Sequence, residues 1–89
     1  MSYKPHTRGQ AFSDFAEACP IGITLSFERY TSESDDSPVE NAGIRSGILV
    51  YKVQTDEMRI IVFTIGRNPE QAYSKTRFGA TWSNWVAGL

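Results

Sequence analysis

Hydrophobic residues stand at successive rather than alternate positions in two neighbouring segments, residues 48–53 and 58–65. A strand with one face in water alternates apolar and polar side chains, whereas strands that are apolar at successive positions are typical of a sheet covered on both faces. The short polar stretch between the two segments predicts that they pair as an antiparallel hairpin. A chain of 89 residues has little other material with which to cover both faces, so the pattern indicates surplus apolar surface.

Two periodic segments precede this hairpin. Residues 9–19 carry apolar side chains at a helical spacing, Thr7 is the expected cap of that helix, and Pro20 forces its end. Residues 21–30 alternate strictly between apolar and polar side chains, which predicts a half-exposed strand. The apolar positions of the helix are Phe12, Phe15, Ala16 and Cys19.

A second helix is predicted after the hairpin. Asn68 is the expected cap, Pro69 the first helical residue, and Trp82 and Trp85 share an apolar stripe toward the end of the chain. Gly79 weakens the middle of this segment by about 1 kcal/mol relative to alanine, so two short helices fit as well as one.

These elements predict an α+β fold: a small three-stranded antiparallel sheet with an N-terminal helix and a C-terminal helical segment packed on it. The chain, residues 1–89, is predicted to be a single domain with a flexible N-terminal arm, residues 1–8, and a long acidic loop, residues 31–43. Either one helix lies on each face of the sheet, or a second copy or another protein covers the open side.

Composition narrows the class of protein. Hydrophobic and charged residues make up 40% and 21% of the chain, as in ordinary globular domains. Cys19 is the only cysteine and His6 the only histidine, which excludes an internal disulfide and a zinc site of several Cys and His ligands. No cofactor is expected. Free cysteine and the lack of a long apolar stretch predict a cytoplasmic protein with no membrane contact.

Charge is distributed unevenly along the chain. Residues 28–40 contain five acids against one base, a sum of −4, and residues 41–89 contain six bases against three acids, a sum of +3. The acids do not follow the spacing of a calcium loop, so no metal site is predicted. This polarity is typical of a surface that steers a charged partner.

The first functional hypothesis is a small non-enzymatic protein-binding module. It takes the form of an inhibitor encoded by a virus or mobile element, which occupies a surface of a larger protein or nucleoprotein complex. Homodimer formation is a further expectation from the surplus apolar surface. The predicted protein-binding residues are Glu33, Asp35, Asp36, Glu40, Tyr51, Lys52, Arg59 and Arg67.

The alternative is a domain that binds single-stranded nucleic acid through the basic and aromatic residues after Asn41. Bases stack on aromatic rings and cations meet phosphates, and the chain carries both residue types in this part. Its net charge of −1 argues against this hypothesis. An enzyme is the third hypothesis. It ranks last because the sequence contains no paired titratable groups that would suggest a reaction.

Overall fold

The computed structural model describes residues 1–66 and 71–88, which form one mixed sheet of seven strands and, within those residues, one α-helix. The strands lie in the order β1-β2-β3-β4-β5-β6, and β7 pairs with β5. Strand β1 runs parallel to β2, and the other pairs are antiparallel. The elements are β1 Ser2–Tyr3, α1 Phe12–Ala18, β2 Gly22–Glu28, β3 Arg45–Gln54, β4 Glu57–Ile65, β5 Ala72–Phe78, β6 Thr81–Trp82 and β7 Val86–Ala87.

The predicted hairpin is confirmed as β3 and β4, but the predicted α+β fold with three strands and a C-terminal helical segment is wrong. From Ala72 onward the chain forms β5, which pairs along its length with β4. Gly79, at a φ of 79°, turns the chain from β5 into β6, a conformation that glycine adopts without strain. Asn68 and Pro69, the predicted helix start, lie outside the described residues.

The N-terminal helix is confirmed as α1, and its C-terminal end is set locally. Cys19 is extended, with a ψ of 149°, as expected for a residue before proline. The Lys52 ammonium of β3 then donates to the carbonyl oxygens of Glu17 at 2.8 Å and Cys19 at 2.9 Å. A cation is favourable at the C-terminal end of a helix, because the last carbonyl oxygens lack partners within the helix and the helix dipole is negative there.

The N-terminal end of α1 is held from a distance instead. Thr7 is not the cap: Ala11 occupies that position and offers no side-chain hydrogen bond. The Asp36 carboxylate, which comes from the acidic loop, accepts hydrogen bonds from the backbone N–H groups of Phe12 at 2.7 Å and Ser13 at 2.8 Å. A helix of seven residues is unstable alone, so long-range contacts at both ends stabilise it.

The core lies on one face of the sheet only. Helix α1 packs against the inward side chains of the hairpin, and Trp82 and Trp85 pack on the edge of this cluster. The buried members are Phe12, Phe15, Ala16, Cys19, Ile48, Val50, Met58, Ile60 and Val62. Cys19 donates its thiol to the Phe15 carbonyl, and burial raises the pKa of that thiol.

Candidate interaction surface: the open face of the sheet

Strand β2 directs its polar side chains into the core and its apolar side chains to solvent. Thr24, Ser26 and Glu28 are each no more than 6% exposed, whereas Phe27 between them is 63% exposed. The pairing with β3 places Ser26 beside Ile48, so the polar row of β2 joins the covered face. Ile23, Leu25 and Phe27 therefore lie on the face without the helix.

This orientation is set by register. Successive side chains of a strand point to opposite faces, so a shift of one residue between β2 and β3 would bury the apolar row and expose the polar row. The observed register instead buries the Ser26 hydroxyl without a hydrogen-bond partner among the described residues. Burying a polar group without a partner costs free energy, and of the three buried polar side chains of β2 only Glu28 gains a partner in the described part of the chain, His6.

We use the name open face for the outward side chains of β2 to β5. Four strands about 4.8 Å apart and about seven residues long, at about 3.4 Å per residue, give it a flat area of roughly 450 Å². Apolar patches of roughly 300–600 Å² are the largest on most monomers and are often functional. Strand register places the following residues on the open face, and all of them except Ser74, which is 9% exposed, are at least partly exposed: Ile23, Leu25, Phe27, Arg45, Gly47, Leu49, Tyr51, Val53, Glu57, Arg59, Ile61, Phe63, Ile65, Ala72, Ser74, Thr76 and Phe78.

A depression lies at one end of the open face. Gly47 forms its floor and pairs with Phe27 on one side and Phe63 on the other, so two rings stand over a residue without a side chain. A Cβ atom at Gly47 would meet nothing within 4 Å. The depression has a volume of about 350 Å³, with Tyr3 and Leu49 also in its lining.

A second depression, of about 330 Å³, lies at the opposite end of the open face. Tyr51, Arg59 and Phe78 line it, and Tyr51 pairs with Arg59 across β3 and β4. The Arg59 guanidinium also donates to the Thr76 hydroxyl at 3.2 Å. Aromatic rings and an arginine thus occur together here, a combination common at interfaces.

The predicted acidic residues lie away from the open face. Asp36 contacts α1 on the covered side of the sheet, and the Glu33 carboxylate accepts two hydrogen bonds from Arg8, at 2.7 and 3.0 Å. The Arg8 guanidinium lowers the pKa of Glu33. Asp35 and Glu40 are exposed. Two of the four acids therefore pair with cations of the same chain.

The predicted basic and aromatic residues are divided between the two faces. Tyr51 and Arg59 lie together on the open face, whereas Lys52 is 4% exposed and caps α1 on the other face. Arg67 lies outside the described residues. Most of the open face was not among the predicted site residues, although the successive apolar positions of the hairpin pointed to such a surface.

His6 and Glu28 form a buried pair beneath the covered face. The His6 Nδ1 contacts the Glu28 carboxylate, and the imidazole lies between the rings of Phe12 and Phe15, at centroid distances of 4.8 and 5.2 Å. The His6 side chain is fully buried and that of Glu28 is 4% exposed. Neither side chain is accessible to a substrate in solution. Their contact instead links the N-terminal segment at His6 to the end of β2 and to α1.

Ser13, Asp36 and Lys75 form a polar cluster that resembles a catalytic arrangement in composition. Lys75 donates to the Ser13 hydroxyl at 2.6 Å and to the Asp36 carboxylate at 2.9 Å. The Ser13 hydroxyl donates to that same carboxylate at 2.7 Å. An ammonium that donates to both partners has no lone pair to take the serine proton, so the cluster joins the loop, α1 and β5 structurally.

Within residues 1–66 and 71–88, no group of three His, Cys, Asp or Glu side chains is placed to hold a metal ion. Nor does any described helix have the length and hydrophobicity needed to cross a membrane. No model of a known protein family, no curated protein and no solved structure matches this chain. An inhibitor of viral or mobile-element origin gains no support from these comparisons, and we set that part of the hypothesis aside.

Proposed function

We propose that this chain is a non-enzymatic protein-binding module and that the open face is its binding surface. The orientation of β2 supports this proposal most directly. Three apolar side chains lie in solvent while polar neighbours are buried beneath α1, although a shift of one residue would reverse both. A protein surface docked on the open face compensates for this arrangement, because it removes apolar area from water.

The open face also has the anatomy of an interface. Aliphatic side chains lie at its centre, aromatic rings border the two depressions, and the charges of Arg45 and Glu57 lie at the ends of the strands, with Arg59 one row inward of Glu57. Protein interfaces share this division between an apolar centre and a polar rim. We propose the reducing cytoplasm as the location, in keeping with the free thiol of Cys19.

Photo-crosslinking from within the open face tests this proposal. A benzophenone amino acid would replace Phe63 in cells that naturally express the chain, and the matched control would carry it at Ala18, an exposed position of α1. We expect a protein adduct from position 63 and none from position 18. The absence of any protein adduct from position 63 would contradict the proposal.

Binding of single-stranded nucleic acid is a second candidate, which the depression between Tyr51, Arg59 and Phe78 favours. Rings that flank an arginine on a sheet are a known platform for stacked bases. The aliphatic residues beside this depression favour a protein instead. Affinity for a single-stranded oligonucleotide that falls steeply with salt, and that Tyr51→Ala reduces, would support this candidate; no binding at low salt would exclude it.

A further inference from the structure

We propose that the occupant of the open face is a second copy of this chain, related by a twofold axis that crosses the strands at Leu49 and Ile61. This step rests on the proposed function of the open face as a protein-binding surface. Two sheets that pack face to face lie about 10 Å apart with their strands within about 30° of one another. The pattern of side chains on the open face is complementary to itself under such an axis.

The open face is arranged in rows that run across the strands. Residues that pair across β2, β3, β4 and β5 share a row, and three rows span all four strands. The middle row is Leu25, Leu49, Ile61 and Ser74; the rows beside it are Phe27, Gly47, Phe63 and Ala72, and Ile23, Tyr51, Arg59 and Thr76.

A twofold axis along the middle row places each side row above the other side row of the second copy. Gly47 then faces Tyr51 of the second copy, so the depression floored by glycine receives a ring. Ala72 faces Thr76 of the second copy in the same way. Small residues oppose larger ones at both positions, as two interlocking surfaces require.

Phe63 faces Arg59 of the second copy under the same axis. A guanidinium over an aromatic ring gives a favourable cation–π contact, which strengthens when water is excluded. The Arg59 guanidinium, which already donates to the Thr76 hydroxyl of its own chain, gains this contact in addition. The symmetry produces this contact twice, as in any interface between identical surfaces.

Charge at the ends of the strands selects this axis over the other one that the sheet allows. Arg45 lies one row beyond Phe63, and Glu57 lies one row beyond Arg59, so the axis across the strands brings Arg45 near Glu57 of the second copy. An axis parallel to the strands, between β3 and β4, would instead bring Arg45 near Arg45 of the second copy, so that like charges would meet. Opposite charges oppose one another only in the first arrangement, again twice.

Charge reversal tests the arrangement. The self-dissociation constant would be measured by analytical ultracentrifugation at low salt for the wild type, Arg45→Glu, Glu57→Arg and the double variant. We expect the wild type to reach twice its monomer mass of 10.0 kDa. Each single reversal should weaken association about tenfold, because it turns two attractive pairs into repulsive ones, and the double reversal should restore it to within about threefold.

Leu49→Asp provides the second arm, because it places a charge on the axis itself. It should leave the chain folded, since Leu49 points away from the core, and should abolish association, whereas Ala18→Asp on α1 should not. A wild type that stays monomeric at all concentrations overturns the proposal, as does a dimer whose affinity the charge reversals leave unchanged.

The crosslinking experiment separates failure of this inference from failure of the proposed function. An adduct from position 63 with a different protein, together with a monomeric chain in solution, would overturn self-association and leave the open face as a protein-binding surface. An adduct with a second copy would support both. The absence of any protein adduct from position 63 would contradict both self-association and the proposed function.

Discussion

Asp36 and Lys75 are joined by an ion pair of 2.9 Å, and this contact links the acidic loop to β5. The Lys75 side chain is 6% exposed and also lies over the ring of Trp85, at 4.9 Å from its centroid. The Asp36 carboxylate caps α1 at the same time. A residue from a loop predicted to bind a partner therefore organises the fold of its own chain.

Replacement of Asp36 by asparagine should destabilise the fold. The variant leaves the buried Lys75 ammonium without its carboxylate and weakens the cap of α1, so we expect the free energy of unfolding to fall by about 2 kcal/mol. Urea denaturation would measure the change. Asp35→Asn is the matched control, since Asp35 is exposed, and equal losses for the two variants would contradict this assignment.

Stability should also depend on pH through Asp36. Burial raises the pKa of the Asp36 carboxyl, but hydrogen bonds from Lys75 and Ser13 together lower it by more. In the folded chain this pKa therefore lies below the ordinary value of 3.8. The stabilising contribution is therefore present above about pH 3.8 and is lost as the pH falls through the lower, folded-state pKa.

Denaturation in urea between pH 5 and pH 2 would measure this contribution. The wild type should lose more stability over that range than Asp36→Asn, which lacks the titrating group. Glu33→Gln serves as the comparison, because Glu33 has a lowered pKa but pairs with Arg8 in an exposed position. Parallel pH curves for the wild type and Asp36→Asn would show that Asp36 makes no such contribution.

Ser26→Ala should leave the stability of the chain unchanged or raise it by up to about 1 kcal/mol, because it removes a buried hydroxyl with no partner among the described residues. Ser46 on the next strand is the matched control. It is equally buried, but its hydroxyl forms a hydrogen bond of 3.0 Å with Thr31. Ser46→Ala should therefore lower the free energy of unfolding by about 1 kcal/mol. A larger loss for Ser26→Ala than for Ser46→Ala would show that the Ser26 hydroxyl makes a stabilising hydrogen bond and would contradict this prediction.

Phenylalanines on the two faces of the sheet should respond differently to substitution. Phe15 is fully buried and Phe63 is 42% exposed. At protein concentrations where the chain is monomeric, Phe15→Ser should lower the free energy of unfolding by about 3–5 kcal/mol, and Phe63→Ser by less than about 1 kcal/mol. Phe63→Ser should also reduce binding of a hydrophobic fluorescent dye. Equal destabilisation by both variants would show that the chain covers the open face itself.

Local sequence patterns predicted α1, β2 and the hairpin of β3 and β4. The helical spacing around Phe15, the stop at Pro20, the alternation of residues 21–30 and the hairpin all correspond to elements of the structure. The C-terminal prediction failed because Trp82 and Trp85 fit a helical stripe while belonging to short strands and turns that pack on the edge of the core. Spacing alone cannot separate these cases when each strand has only two residues.

The candidate surface was predicted only in part. Successive apolar positions in β3 and β4 indicated exposed apolar area, but alternation in β2 could not say which of its two rows faces the helix. The pairing of Ser26 with Ile48 and of Thr24 with Val50 places the polar row on the covered face. Because this pairing joins distant segments of the chain, the local pattern could not reveal it. Arg59 and Tyr51 were predicted together and lie together, whereas the adjacent Lys52 points to the opposite face.

The chain's own residues determine that α1 ends before Pro20, that β3 and β4 form a hairpin, and that more apolar surface exists than one helix can cover. These features follow from backbone sterics and from the spacing of side chains within each segment. Only the assembled sheet decides which face stays open, that Asp36 and Lys52 hold α1 from distant positions, and that Gly47 lies between two phenylalanine rings. Those features depend on the register between strands, which is settled when the segments pack together.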